Sequence, residues 1–111
     1  MAAATAISKV GEAPSVHGGR LEFWKFTLDP GSIAAAAQEV DTVAIPGAKA
    51  GDPCFASCEV PEASLICGGA AVTADDVVSI YISNNITVTT AFDGGSKVWN
   101  LQILKRTVVG A

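Results

Sequence analysis

Residues 76–83 read Asp76-Val-Val-Ser-Ile-Tyr-Ile-Ser83, a stretch in which apolar and polar side chains alternate. Positions 78, 80 and 82 carry valine or isoleucine, whereas positions 79, 81 and 83 carry serine or tyrosine. In an extended chain successive side chains point to opposite faces, so a period of two indicates a half-buried β-strand. The stretch therefore predicts a strand with one apolar face.

Segments of similar character, bounded by turn residues, lie on both sides of this strand. They predict further strands at residues 21–29, 38–45, 54–60, 64–67, 70–73, 86–90 and 97–109. Asp29-Pro30-Gly31-Ser32 suits a type II turn, and the short alanine run at 33–37 is interpreted as a loop or a single helical turn. About seven or eight strands without long helices between them predict an all-β fold, an antiparallel β-sandwich or a small jelly roll.

The first 20 residues lack a sustained period and contain several glycines and a proline. We expect an extended N-terminal arm over residues 1–20 and one β-sandwich domain over residues 21–111, because 111 residues suffice for a single core. Half of the residues are apolar and 16% are charged, which is a large apolar share for so small a domain. We expect part of this surface to lie against copies of the chain or a partner, with the arm lying across a neighbour.

The charge balance argues against two classes of partner. Seven Lys and Arg residues against eleven Asp and Glu residues give a formal net charge of −4. Nucleic acids and anionic membranes bind basic surfaces, so we expect neither as a partner. No apolar run approaches the ~20 residues of a transmembrane helix, and the N-terminus lacks the basic region of a signal peptide, so we expect synthesis in a cytoplasm.

Three cysteines, Cys54, Cys58 and Cys67, lie close together in the chain. A structural zinc site needs four ligands, and the single histidine, His17, lies far upstream. We therefore predict no metal site and interpret the cysteines as buried thiols. A Cys54–Cys67 or a Cys58–Cys67 bridge is the alternative under oxidising conditions.

The titratable residues do not form a catalytic pattern. His17 is placed in the arm, and Asp75-Asp76 is interpreted as part of a turn that leads into the next strand. Glu39 and Asp41 share one strand face and are interpreted as a solvated face. The sequence therefore predicts that the protein is not an enzyme and has no cofactor.

Three ordered segments carry a resemblance to a known family. They are Leu28-Asp-Pro-Gly-Ser-Ile-Ala-Ala35, Val43-Ala-Ile-Pro-Gly-Ala-Lys-Ala-Gly-Asp52 and Ala70-Ala-Val-Thr-Ala-Asp-Asp-Val-Val-Ser-Ile-Tyr-Ile-Ser-Asn84. Their order and spacing resemble small all-β virion proteins of tailed bacteriophages, over about residues 21–108. The chain departs from that family's pattern at residues 54–67, where it carries its cysteines.

The resemblance implies a structural role on the virion. It implies a head decoration (cement) protein on the capsid surface that forms a homotrimer, bridges subunits of the major capsid protein and stabilises the shell. A tail-fibre or spike module, or a carbohydrate-binding module of the virion, is the alternative, with Trp24, Tyr81 and Trp99 as candidates for contacting sugar. The candidate residues for the oligomer or capsid interface are His17, Arg20, Leu21, Phe23, Trp24 and Tyr81.

Overall fold

The computed structural model describes residues 2–14, 19–59, 65–84, 92–93 and 95–105. These residues form strands joined by turns and bends. The strands are β1 (Thr5–Pro14), β2 (Arg20–Leu28), β3 (Ser32–Ile33), β4 (Gln38–Ala44), β5 (Cys54–Cys58), β6 (Leu65–Ala74), β7 (Val77–Asn84), β8 (Phe92–Asp93) and β9 (Lys97–Lys105).

Two antiparallel sheets make up most of the described residues. Sheet I has the strand order β1-β2-β9-β5, and sheet II has the order β4-β7-β6. The short strands β3 and β8 pair with each other. The predicted all-β antiparallel sandwich is therefore confirmed, with β1 and β5 at the edges of sheet I and β4 and β6 at the edges of sheet II.

The core lies between the two sheets. Trp24, Phe26 and Leu28 share one face of β2 and are buried together. Phe26 stacks on Trp99 of the neighbouring β9, with ring centroids 6.4 Å apart. The other buried apolar residues are Ile33, Val43, Ile45, Ala48, Val72, Val78, Ile80, Ile82, Leu101 and Ile103. Burying each large side chain contributes roughly 1.5–3 kcal/mol to stability.

Most of the predicted arm belongs to the sheet. Residues 5–14 form β1, which pairs antiparallel with β2 from Thr5 opposite Thr27 to Pro14 opposite Arg20. Register shifts interrupt the ladder between Thr5 and Ser8 and between Lys9 and Gly11. A bulge adds an unpaired residue and so breaks the alternation of faces. This is the physical reason why the sequence of β1 shows no period of two although it is a strand.

The residues before β1 join the two sheets on one side of the sandwich. Ala4 donates its N–H to the carbonyl of Thr42 at 2.8 Å, and Thr42 donates to the carbonyl of Ala2 at 3.0 Å. Ala2 also donates to Oδ1 of Asp41 at 2.7 Å. Because residues 2–4 pair with β4 of sheet II and residues 5–14 pair with β2 of sheet I, the N-terminal segment closes this side.

The interpretation of Glu39 and Asp41 as a solvated face is wrong. Asp41 is fully buried, and Glu39 is half-buried beside it on the same face of β4. Burial, together with a hydrogen bond and the charge of Asp41, raises the pKa of Glu39 to about 7. Glu39 is therefore partly protonated near neutral pH and in that form can donate a hydrogen bond to Asp41.

Several local predictions differ in detail from the structure. The strands predicted at 64–67 and 70–73 are one strand, β6, with a register shift between Cys67 and Gly69. Gly31 has a φ of +75°, as a type II turn requires, and its N–H binds Oδ1 of Asp29 at 2.9 Å. The predicted strand at 86–90 lies outside the described residues.

Within the described parts of the chain we find no helix with the length and apolar character that crossing a bilayer demands.

Candidate protein interface

The structure separates the residues predicted to form an interface. Leu21 and Phe23 project from the outer face of sheet I, because their neighbours on β2 at even positions face the core. Tyr81 is half-buried on β7 of sheet II, among residues that face away from the core. His17 lies outside the described residues. Of the six candidates, Leu21 and Phe23 are therefore the two that the fold places together on one exposed face.

Trp24 packs at one end of the core. Its indole N–H donates to Oε1 of Glu22 at 2.9 Å, and its ring lies 5.6 Å from the Nζ of Lys105. Glu22 is buried, and burial alone raises the pKa of its carboxyl group. Hydrogen bonds from Lys105 and Trp24 outweigh that effect and hold the pKa below its ordinary value. Trp24 is thus part of a buried polar cluster with Glu22 and Lys105. This position does not support the interface role predicted for Trp24.

Arg20 borders the same cluster from the solvent side. Its side chain is 59% exposed, and its Nη2 lies 3.5 Å from Oε2 of Glu22. Its Nε lies 4.0 Å from Oε2 of Glu12 on β1. These exposed contacts leave most of the guanidinium group accessible, so Arg20 remains available to a partner at the edge of sheet I.

A row of large apolar side chains crosses the outer face of sheet I. Phe23 of β2 and Phe55 of β5 both lie in register with Gln102 of β9, which separates them. Phe55 is 72% exposed and Phe23 is 36% exposed. Val10 of β1 is 59% exposed and lines the same shallow groove as the two rings. Such a concentration of exposed apolar groups is typical of a protein-binding surface.

A second pair of apolar side chains lies beside the row that Phe23 and Phe55 form. Leu21 and Leu104 lie opposite each other on β2 and β9, and both are half-buried. On β1, Gly11 lies opposite Phe23, and the Phe23 ring is 3.5 Å from the position that a Cβ of Gly11 would take. The Phe23 ring therefore lies over β1 at Gly11. We call the surface formed by these apolar side chains the apolar patch: Val10, Leu21, Phe23, Phe55 and Leu104.

Polar side chains border the apolar patch on the side of Phe23 that faces away from Leu21. Lys25 lies opposite Asn100, and Asn100 lies opposite Ser57. Nζ of Lys25 is 3.3 Å from Oε2 of Glu59, and Asn100 donates to the same oxygen at 3.4 Å. An apolar centre with a polar rim is the usual anatomy of a protein interface.

Sequence reasoning missed Val10 and Phe55. A strand was predicted at residues 54–60, but its faces were not assigned. Its alternation places cysteine and alanine inside and phenylalanine outside, which reverses the usual preference for burying the larger group. This reversal was the available signal for Phe55. Val10 lies at a register shift of β1, where no alternation reveals its side.

Comparison of the chain with protein-family models, with curated proteins and with solved structures gave no match. The described residues also hold no group of three or more His, Cys, Asp or Glu side chains arranged to bind a metal ion. The apolar patch is the candidate functional surface of the described residues.

Proposed function

We propose that this chain is a head decoration (cement) protein of a tailed bacteriophage. In this proposal it binds the outer surface of the head, bridges neighbouring subunits of the major capsid protein and stabilises the shell. The chain is made in the host cytoplasm, acts on the virion and has no catalytic role. The observation that carries the proposal is the apolar patch, supported by the three sequence segments that resemble phage virion proteins.

The apolar patch supplies the contact in this account. Exposed aromatic rings lose little conformational freedom on binding and bury large areas, so they dominate the energetics of protein interfaces. Phe55 is the most exposed large apolar residue in the described part of the chain and serves as the anchor. Interfaces of ~1,200–2,000 Å² suffice for specific association, and repetition over a shell adds avidity.

Self-association is the second part of the proposal. The patch reaches from β1 at one edge of sheet I to β5 at the other, so a subunit has room for a neighbouring copy and for the capsid. We propose a homotrimer in which Phe23 faces the neighbouring copy and Phe55 faces the major capsid protein. The net charge of −4 disfavours contact with the packaged DNA.

The alternative is a tail-fibre, spike or carbohydrate-binding module of the virion. The exposed ring of Phe55 favours this alternative, because sugar-binding sites use exposed aromatic side chains. Two of the three aromatic residues proposed for that role, Trp24 and Trp99, are in the core. The cement proposal therefore has the greater support.

The number of copies in each virion distinguishes the two proposals. The test is quantitative mass spectrometry of purified virions of the phage that encodes the chain, with the major capsid protein as the internal reference. We expect a copy number of the same order as that of the major capsid protein. A copy number comparable to that of the tail proteins contradicts the cement proposal and supports the alternative, and absence from the virion contradicts both.

A further inference from the structure

The side of the sandwich opposite residues 2–4 contains a cavity. Here the edge strand β5 of sheet I adjoins the edge strand β6 of sheet II, and the two strands belong to different sheets. The cavity has a volume of about 310 Å³. It is lined by Pro30, Ala56, Ser57, Cys58, Leu65, Cys67, Ile82, Gly95, Lys97 and Trp99.

Two of the three cysteines line this cavity from opposite strands. Cys58 is at the end of β5, in register with Trp99, and Cys67 is on β6, in register with Ile82. Trp99 and Ile82 also line the cavity, so each cysteine and its cross-strand neighbour reach the same space. Both cysteines are half-buried, and neither is in a disulfide.

Cys54 is placed differently. It lies at the start of β5, four residues before Cys58, in register with Ile103, and is not part of the cavity lining. Burial, followed by the charge of Asp52, raises the pKa of the Cys54 thiol. Because the thiolate is the reactive form in disulfide exchange, a raised pKa slows reaction at this position. Its place outside the cavity separates Cys54 from Cys58 and Cys67.

We propose that Cys58 and Cys67 are a thiol–disulfide pair, and that their oxidation links β5 to β6 beside the cavity. The oxidant is a low-molecular-weight disulfide such as glutathione disulfide. The thiolate of one cysteine attacks this disulfide, forms a mixed disulfide and releases one glutathione thiolate, which takes up a proton. The second cysteine, as its thiolate, then attacks the mixed disulfide at the protein sulfur and releases the second glutathione.

The exchange is balanced and reversible. Two protein thiols lose two hydrogen atoms in all, and one glutathione disulfide becomes two glutathione thiols. The bridge ties the free edge of sheet I to the free edge of sheet II, as residues 2–4 do on the other side through hydrogen bonds. A bridge that fits the folded state also restricts the unfolded chain, so we expect it to stabilise the domain.

The test is oxidation of the folded, full-length chain over a series of glutathione disulfide to glutathione ratios. We expect the number of titratable thiols to fall from three to one. Cleavage after Phe55 by chymotrypsin and after Glu59 and Glu62 by a glutamate-specific protease separates the three cysteines into different peptides. Mass spectrometry of the non-reduced digest then identifies which two are joined.

Cys54→Ser is the matched control for Cys58→Ser and Cys67→Ser. We expect Cys54→Ser to form the bridge like the parent chain, and the other two variants to form no intrachain bridge. We expect the thermal midpoint of the oxidised chain to rise by about 10 °C. Retention of three thiols at every ratio, a bridge that includes Cys54, or a lower midpoint after oxidation overturns the proposal.

Discussion

Nζ of Lys105 lies 2.8 Å from Oε1 of Glu22, and this is the most buried ion pair that the described residues form. The same carboxylate oxygen accepts the indole N–H of Trp24. Lys105 also donates to the carbonyl of Pro46, so it links β9 to the loop after β4. A buried carboxylate that loses its cation keeps its desolvation cost, so the pair holds this end of the sandwich together only while both partners are present.

Replacing Lys105 with methionine tests this dependence. We expect Lys105→Met to lower the free energy of unfolding by about 3 kcal/mol, because Glu22 stays buried with weaker compensation. Lys49→Met is the control, since the Lys49–Asp75 pair is exposed and exposed pairs contribute ~0–1 kcal/mol. Urea unfolding at neutral pH measures both. Equal destabilisation by the two substitutions would contradict the role given to the buried pair.

The carboxyl pair of Glu39 and Asp41 gives the domain an unusual pH dependence. The pKa of Glu39 is about 7 in the folded chain, above its ordinary 4.5. A carboxyl group whose pKa is raised by folding binds more protons in the folded state than in the unfolded state. Its contribution to the free energy of unfolding is therefore fully present below the ordinary pKa and is lost as the pH rises through 7. We expect a loss on the order of 2–3 kcal/mol between pH 5 and pH 8 from this group.

Glu39→Gln isolates that contribution, because the amide can still donate a hydrogen bond to Asp41 and carries no charge. We expect the variant to match the parent chain near pH 5 and to exceed it in stability at pH 8. Denaturant unfolding at a series of pH values provides the comparison. A parent chain whose stability relative to Glu39→Gln is constant with pH contradicts the raised pKa of Glu39.

Deleting residues 2–14 tests whether the N-terminal segment is part of the domain. The deletion removes β1 and the backbone hydrogen bonds to Thr42, each worth ~1 kcal/mol, and exposes the edge of β2. We therefore expect a loss of several kcal/mol and a tendency to aggregate. Circular dichroism and size-exclusion chromatography report both effects. A truncated chain that is monodisperse and as stable as the parent indicates an arm independent of the sandwich.

The sequence predicted the sandwich because turn residues separate its short apolar strands and β7 has one polar and one apolar face. The alternation in β7 assigned Ile80 to the core correctly, whereas β2 carries large apolar groups on both faces, so its sequence did not assign Phe26 to the core. The alternation in β1 is broken by bulges, so the strand was mistaken for an arm. The structure of such a strand is decided by its pairing with another strand, and this pairing leaves no pattern in the strand's own sequence.

The candidate site was predicted only in part, for a related reason. Phe23 was identified as an interface residue because both faces of β2 carry large apolar groups. Phe55 was missed because the fold, not the composition of β5, decides which face of that strand is inside. Glu39 and Asp41 were misassigned because an alternation of polar and apolar residues looks the same whether the polar face is solvated or buried.

Substitutions in the apolar patch test its role in association. We expect Phe23→Ser to shift the chain from a trimer of three times 11.2 kDa toward monomer, with affinity reduced by at least ~10-fold, because Phe23 faces the neighbouring copy in our proposal. We expect Phe55→Ser to leave the trimer intact, because Phe55 faces the major capsid protein. Ile66→Ser is the matched control, because Ile66 is 43% exposed but belongs to sheet II. Sedimentation velocity over a concentration series measures the distribution. A control variant that dissociates as readily as Phe23→Ser contradicts an interface on sheet I.

The most direct measurement of the central claim is add-back to phage heads. Heads are prepared from a phage that lacks the gene for this chain, and the purified chain is added in stoichiometric amounts. We predict that the parent chain saturates the heads and raises the temperature at which they release DNA, whereas Phe55→Ser does neither and Ile66→Ser does both. Heads that release DNA at the same temperature with and without bound parent chain, or that bind none of it, contradict the proposal that this protein cements the shell.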